Sequence, residues 1–266
     1  TRPNLEMVKF IENDEHFILV SLLITVCMQL SFFAVAYGLQ IDKVTDFAGT
    51  ANFLLLAIVT LWFSEDFSFP KIIASLMVIL WSLRLGAYLS YRILVWGEDN
   101  RFDVMRSKFW SFLGFWVMQI LWVFLTCLPV IYFNSLDSPD ELNTLATIGV
   151  SMFLIGLIIE AWSDYSKFNH KLNGEKWCTA GLWKYSRHPN YFGNILLWFG
   201  IFVFCYGYDV PLWTIIGPLW TTFLLLFVSG IPLLEASADK KYGDDSEYLQ
   251  YKSNTSILIP WFNSSK

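Results

Sequence analysis

FWSFLGFWVMQILWVFLTCLPVIYF, residues Phe109–Phe133, runs from end to end without one charged side chain. A helix on the surface of a soluble domain keeps a polar stripe, and this run has none. At about 1.5 Å per residue it is long enough to cross the ~30 Å hydrocarbon core of a bilayer. Working outward, Phe17–Leu39, Ala48–Phe63, Phe69–Trp96, Thr144–Ala161, Tyr191–Tyr208 and Pro211–Leu234 read the same way. Together they predict an all-α polytopic membrane protein with about seven transmembrane helices. Ala48–Phe63 and Tyr191–Tyr208 are short, and the turn at Asp209–Pro211 is open to a reading as a re-entrant hairpin, so six and eight are the neighbouring counts.

Composition leads to the same class. Across 266 residues, 55% are hydrophobic and 15% charged, where a soluble domain has about 45–50% and about 25%. That excludes an ordinary soluble domain, whose surface this little charge could not cover. A net charge of −5 argues against nucleic acid as a partner. Cys27, Cys127, Cys178 and Cys205 are scattered with no C-x-x-C spacing, which speaks against a disulfide framework or a zinc site. His16, His170 and His188 are too few for a multi-histidine metal centre, so no metal is expected. Phe17–Leu39 lies too deep and is too long for a cleaved signal peptide. There is no internal repeat or low-complexity tract, and the loops leave no room for a separate soluble domain. The chain reads as one integral membrane domain, with the N-terminal spans (1–143) on the substrate side and a cofactor-binding C-terminal region (144–266).

Orientation follows from the loop cations. With seven spans, Lys43, then Arg101, Arg106 and Lys108, then the basic residues of Lys167–Arg187, then Lys240, Lys241, Lys252 and Lys266 all fall on one side. Only Arg2, Lys9 and Lys71 fall on the other, whose Ser135–Asn143 loop is acidic. By the positive-inside rule the C-terminus is expected in the cytoplasm, at the endoplasmic reticulum in a eukaryote or the inner membrane in a bacterium.

The polar residues that need explaining lie toward that side. Arg84, Tyr88 and Arg92 share a helix face at i, i+4, i+8. Arg92 is shallow enough to snorkel, whereas Arg84 lies about two turns deeper, where a polar cavity is the better account. Glu160, Asp164 and Phe168 share a face of the fifth span; the two carboxylates could accept sugar hydroxyls, hold an arginine, or simply cap a helix end with local ion pairs. The densest segment is TAGLWKYSRHPNYFGNILLW, Thr179–Trp198. Lys184, Arg187 and His188 precede a proline that opens an apolar helix, so cations and helix N–H groups converge on what reads as a phosphate site. In the tail EASADKKYGDDSEYLQYKSNTSILIPW, Glu235–Trp261, three tyrosines either lie on an interfacial helix or pack on an adenine or nicotinamide ring.

These motifs carry a resemblance. GLWKYSRHPNYFGNILLWFG, with SGIPLLE, KYGDDSEYLQYKSNTSILIPW and, upstream, EAWSD and GEDNRF, resembles the steroid 5α-reductase-like membrane reductases. The branch is one known only as a domain of unknown function with a steroid-reductase-type C-terminal region, related to the sterol C14-reductases. The resemblance spans about Leu80 to Trp261 and is specific over Glu160–Trp261. It implies an NADPH-dependent reductase passing hydride to a polarised C=C bond of a lipophilic steroid-, sterol- or isoprenoid-like substrate. It implies a cofactor pocket of Arg84, Asp99, Arg101, Asp164, Lys184, Tyr185, Arg187, His188, Asn190, Tyr191, Asn194, Glu235, Tyr248 and Lys252. Tyr88 and Tyr91 are the expected proton donors. Two departures stand out: Asn194 follows Gly193 where relatives carry an acid, and no steroid-gripping Gln-Glu pair occurs in the first three spans. The tryptophans Trp81, Trp110, Trp116, Trp122, Trp162 and Trp198 either wall a flat apolar pocket or form interface belts.

A rival family carries similar signals. The isoprenylcysteine carboxyl methyltransferases and phospholipid methyltransferases also have an RHP-x-Y segment before a helix and a downstream glutamate, and they use S-adenosylmethionine. Basic residues between Lys167 and Arg187 favour NADPH, with its phosphates, over a sulfonium cofactor. A non-catalytic lipid-binding protein is the third reading.

Overall fold

A computed structural model of the chain describes residues 14, 16–96, 105–137 and 141–261. Its helices are α1 (Ile18–Leu39), α2 (Val44–Phe63), α3 (Phe69–Trp96), α4 (Phe109–Ser135), α5 (Thr144–Leu172), α6 (Pro189–Tyr206), α7 (Ile216–Phe223), α8 (Ile231–Tyr242) and α9 (Ser246–Asn254). Among the described residues seven segments are long and apolar enough to cross a membrane: α1 to α6 and the composite Leu212–Tyr242. No strand occurs among them; Ser186 and Ser256 form one isolated parallel bridge. The all-α, seven-span expectation holds.

Boundaries differ in instructive places. α5 does not stop at Ala161 but runs on to Leu172, carrying Glu160, Asp164 and Lys167 on a continuous helix. α6 opens at Pro189, the residue that needs no N–H partner in a first turn. The seventh span is broken: a 3-10 turn at Leu212–Ile215, then α7, then a π-helical turn at Leu224–Val228, then α8. Gly230 sits at the break, where a Cβ would lie 2.2 Å from the Leu225 carbonyl oxygen, so only glycine fits.

The chain divides into two compact units, Thr1–Thr147 with Ile201–Gly217, and Ile148–Gly200 with Pro218–Lys266. In the first, α2 packs on α3, α1 on α4, and α2 on both α1 and α4. Asp14 caps α1, its carboxylate oxygens accepting from the Leu19 and Val20 N–H groups at 3.0 and 2.8 Å. Phe53, Trp81 and Trp122 meet edge to face in the core. Polar side chains tie the helices together where no water competes. Gln29 Nε2 donates to Ala48 O and Asn52 Oδ1, Gln119 Nε2 to Thr45 O, and Asn134 Nδ2 to Thr60 Oγ1 and Ser75 Oγ. Such bonds are worth about 0.6 kcal/mol each in a membrane, so they set register more than stability. Pro129 lies inside α4 and withdraws the N–H that Leu125 O would otherwise accept. Gly217 packs against that carbonyl so closely that a Cβ there would stand 2.7 Å from it.

The second unit is organised by a glycine seam. Gly149 and Gly156 on α5 face Gly200 and Gly193 on α6, the helices running antiparallel. A Cβ at Gly193 would lie 2.6 Å from Glu160 N, and one at Gly200 2.6 Å from Phe153 N. Small residues one heptad apart bring two backbones together, and the side chains just beyond the seam are forced into contact.

Candidate functional site

The polar residues beyond that seam form a ladder. Asn194 Nδ2 donates to Glu160 Oε1 at 3.1 Å, and one turn earlier Asn190 Nδ2 donates to Asp164 Oδ1 at 3.2 Å. Where an acid was expected after Gly193, the amide therefore meets a carboxylate supplied by α5, and an acid would face like charge.

The segment leading into α6 is fastened from two sides. Trp183 is buried, its Nε1 donating to Ser163 O at 2.9 Å, with Lys167 Nζ 4.7 Å from its ring centroid. The chain then pairs with the tail: Arg187 N donates to Ser256 O at 2.8 Å, Ser186 Oγ to Leu258 O, and Ser256 Oγ to Tyr185 O. Tyr251 donates its hydroxyl to Trp183 O at 2.8 Å. These bonds present Arg187 and His188 to α8.

Glu235 of α8 is the hub. His188 Nε2 is 2.8 Å from its Oε1, while Arg187 Nη1 is 3.1 Å and Lys252 Nζ 3.6 Å from its Oε2. Lys252 also pairs with Asp239, which accepts the Tyr248 hydroxyl at 3.1 Å. His188 is held below the usual histidine range, first by burial, against the opposing pull of Glu235. Burial and the bond to Asp239 push the Tyr248 phenol up to about 12, and burial pushes Tyr251 up as well. Both phenols are therefore neutral donors.

Four buried polar atoms in this segment have no hydrogen-bond partner among the described residues: Arg187 Nε and Nη1, His188 Nδ1 and Asn190 Oδ1, of which Nη1 is ion-paired with Glu235. Each such orphan costs about 1–3 kcal/mol, which makes this cluster the candidate site. Among the described residues no three His, Cys, Asp or Glu side chains stand together as metal ligands.

Of the expected site residues, the structure brings together Asp164, Arg187, His188, Asn190, Tyr191, Asn194, Glu235, Tyr248 and Lys252. Tyr191 stacks on the His188 ring at 5.5 Å. Lys184 is exposed, lying along Tyr185, and Tyr185 packs on Trp261, so both serve the loop and tail. Arg84, Tyr88 and Tyr91 belong to α3 of the first unit, where the first two are partly buried and Tyr91 is exposed. Asp99 and Arg101 lie outside the described residues. Tyr242 and Tyr248 pack on Trp177 and on each other, which occupies ring faces that were open to a nucleotide base. Asp239, Trp183 and the glycine seam were missed, and Tyr251, one of the three tail tyrosines, bonds to Trp183 O. The i+4 spacing of Asp239 from Glu235 and the two heptad-spaced glycine pairs were visible signals.

Comparison with known proteins now adds to the geometry. The family "Protein of unknown function (DUF1295)" matches residues 32–255. Methanethiol S-methyltransferase 1 of Bradyrhizobium diazoefficiens is 29% identical over 180 residues, covering 64% of this chain and 59% of that protein. The chain thus spans well under two thirds of this curated relative's length. No solved structure matches. The unknown-function branch expected from the motifs is the family found, but the named relative is a methyltransferase, and this overturns the reductase reading. At that motif Arg187 faces the Glu235 carboxylate, Lys184 lies along the Tyr185 ring, Pro189 has no N–H, and the Tyr191 N–H is taken by His188 O. NADPH was expected only as part of that reductase reading.

Proposed function

Because the chain belongs to the family of proteins of unknown function DUF1295, we propose that it is a membrane-embedded, S-adenosylmethionine-dependent methyltransferase acting on a small thiol. The observation that carries the reading is the pair of orphan atoms at the mouth of α6. Arg187 Nε is a buried donor and Asn190 Oδ1 a buried acceptor, three residues apart. A donor of fixed positive charge and an acceptor beside Asp164 fit the two ends of an amino acid: carboxylate on Arg187, ammonium on Asn190 and Asp164. The methionyl part of S-adenosylmethionine has both groups. Supporting it is the curated relative, whose printed name gives methanethiol as substrate and sulfur as acceptor.

When bound, S-adenosylmethionine supplies an electrophilic methyl group on a sulfonium. The chain's own residues account for the rest. Glu235 aligns Arg187 by its ion pair and leaves Nε to bind. Asp164 holds the Asn190 amide so that its oxygen faces outward from the bond. The Glu160 and Asp164 carboxylates add negative potential suited to a sulfonium. The apolar spans give a small uncharged thiol access through the lipid phase.

The test is transfer of label. Detergent-solubilised protein incubated with methyl-labelled S-adenosylmethionine and a short alkyl thiol should release labelled thioether. Arg187→Ala should abolish it. Release of no labelled product from any thiol, by protein that is folded, contradicts the reading.

A further inference from the structure

We propose that His188 is the site's proton acceptor and that the substrate therefore brings a hydrogen on its nucleophilic atom, as a thiol does and a preformed carboxylate does not. The proposal rests on the methyltransferase reading and goes further, since it assigns a catalytic residue and excludes a substrate class.

An ionised carboxylate only accepts hydrogen bonds, so the 2.8 Å contact between His188 Nε2 and Glu235 Oε1 places a hydrogen on Nε2. Buried at 5% exposure of its side chain, the neutral imidazole then carries its lone pair on Nδ1. That nitrogen is one of the buried atoms without a hydrogen-bond partner. A carboxylate on one nitrogen and an open second nitrogen are the arrangement of an oriented base; His170, with Glu175 on Nδ1, shares it, but only His188 stands between the orphan atoms of Arg187 and Asn190. The ring is held in place by Tyr191, stacked at 5.5 Å and 11°, and by a backbone bond from His188 N to Ser186 Oγ. Charged groups facing it are Glu235 of α8, Arg187 beside it and Lys167 of α5, with Lys252 of α9 acting through Glu235. Burial first, and then Lys167 and Arg187, keep the imidazole neutral, and Glu235 stabilises it once protonated.

The chemistry requires such a group. A thiol with a pKa of about 8.5 is mostly protonated at neutral pH, more so in apolar surroundings, and the thiolate is the nucleophile. In the step, the S–H bond breaks and its proton binds Nδ1. The sulfur keeps the electron pair and forms the new S–CH3 bond. The pair of the old methyl–sulfonium bond stays on the departing sulfur, which becomes a neutral thioether, and the imidazolium later gives its proton to water. A carboxylate substrate is already ionised and would leave Nδ1 without a task.

The first test needs no cofactor. In protein labelled with 15N-histidine, with His188 assigned by comparison with His188→Gln, the imidazole should show a protonated Nε2 and a bare Nδ1. A hydrogen on Nδ1 overturns the proposal. The second test compares thiols. His188→Gln keeps a donor for Glu235 and should bind S-adenosylmethionine as wild type does. It should methylate an alkyl thiol at least 10²-fold more slowly, yet retain most of its rate with an acidic aromatic thiol that ionises unaided. Equal losses with both thiols, or no loss with either, overturn the proposal. Should His188→Gln fail to fold, the rate of the wild-type protein with the alkyl thiol should still fall on acidification while that with the aromatic thiol falls less; parallel profiles overturn it. Wild-type protein with the expected tautomer but no affinity for S-adenosylmethionine overturns the methyltransferase reading instead, and supports the geometry of the base.

Discussion

His188 and Glu235, far apart in sequence, meet through Nε2 and Oε1 at 2.8 Å, and the same carboxylate faces Arg187 and Lys252 on its other oxygen. One side chain thus sets the tautomer of a histidine and the pose of an arginine. Glu235→Ala should destabilise the protein by about 3 kcal/mol, because partly buried Arg187 loses its counter-charge and His188 Nε2 its acceptor, while Lys252 keeps Asp239. Glu235→Gln, which fills the same space, should cost less stability yet impair binding and turnover alike. Unfolding in detergent micelles distinguishes the two; equal, small effects would remove Glu235 from its central place.

The glycine seam predicts a contrast between neighbours in composition. Gly193→Ala puts a methyl group 2.6 Å from Glu160 N and should cost about 1–3 kcal/mol and disturb the Asn194–Glu160 bond. Gly114→Ala, on α4, meets nothing within 4 Å and should be neutral or slightly stabilising. Thermal midpoints of the two variants provide the comparison.

Acid should weaken the fold through His188. Its folded pKa lies below the ordinary 6.5, so below that pH the unfolded chain takes up a proton that the folded chain refuses. The contribution is complete above about pH 6.5 and is lost as pH falls toward the folded value. Between pH 7 and pH 5 the wild-type midpoint should fall more steeply than that of His188→Gln. Parallel slopes would show that His188 titrates freely.

Lys184 and Arg187, three residues apart in a motif that seemed to use both, should behave differently. Lys184→Ala removes an exposed side chain and should leave binding of S-adenosylmethionine within twofold of wild type. Arg187→Ala should weaken it at least 100-fold, as calorimetry with either variant would measure.

Much of this architecture can be read from hydropathy, because a bilayer admits few alternatives for an uncharged run such as Phe109–Phe133. The extension of α5 past Ala161 was hidden because Glu160, Asp164 and Lys167 look like a helix end, whereas they are the first residues beyond a packed seam. The break at Gly230 follows a π turn, and the close approach of Gly230 to the Leu225 carbonyl is invisible to periodicity. In the site, Arg187, His188 and Asn190 were legible from one short motif. Their meaning was not, since two families use cations before a helix. The partner of the arginine was not legible either, since Glu235 is brought to it only by the folded chain.

Calorimetric titration of the solubilised protein with S-adenosylmethionine, its demethylated product and NADPH tests the central claim most directly. Saturable binding of the first two, lost in Arg187→Ala, with no heat from NADPH, is the predicted result. Saturable binding of NADPH by protein that ignores S-adenosylmethionine would contradict it.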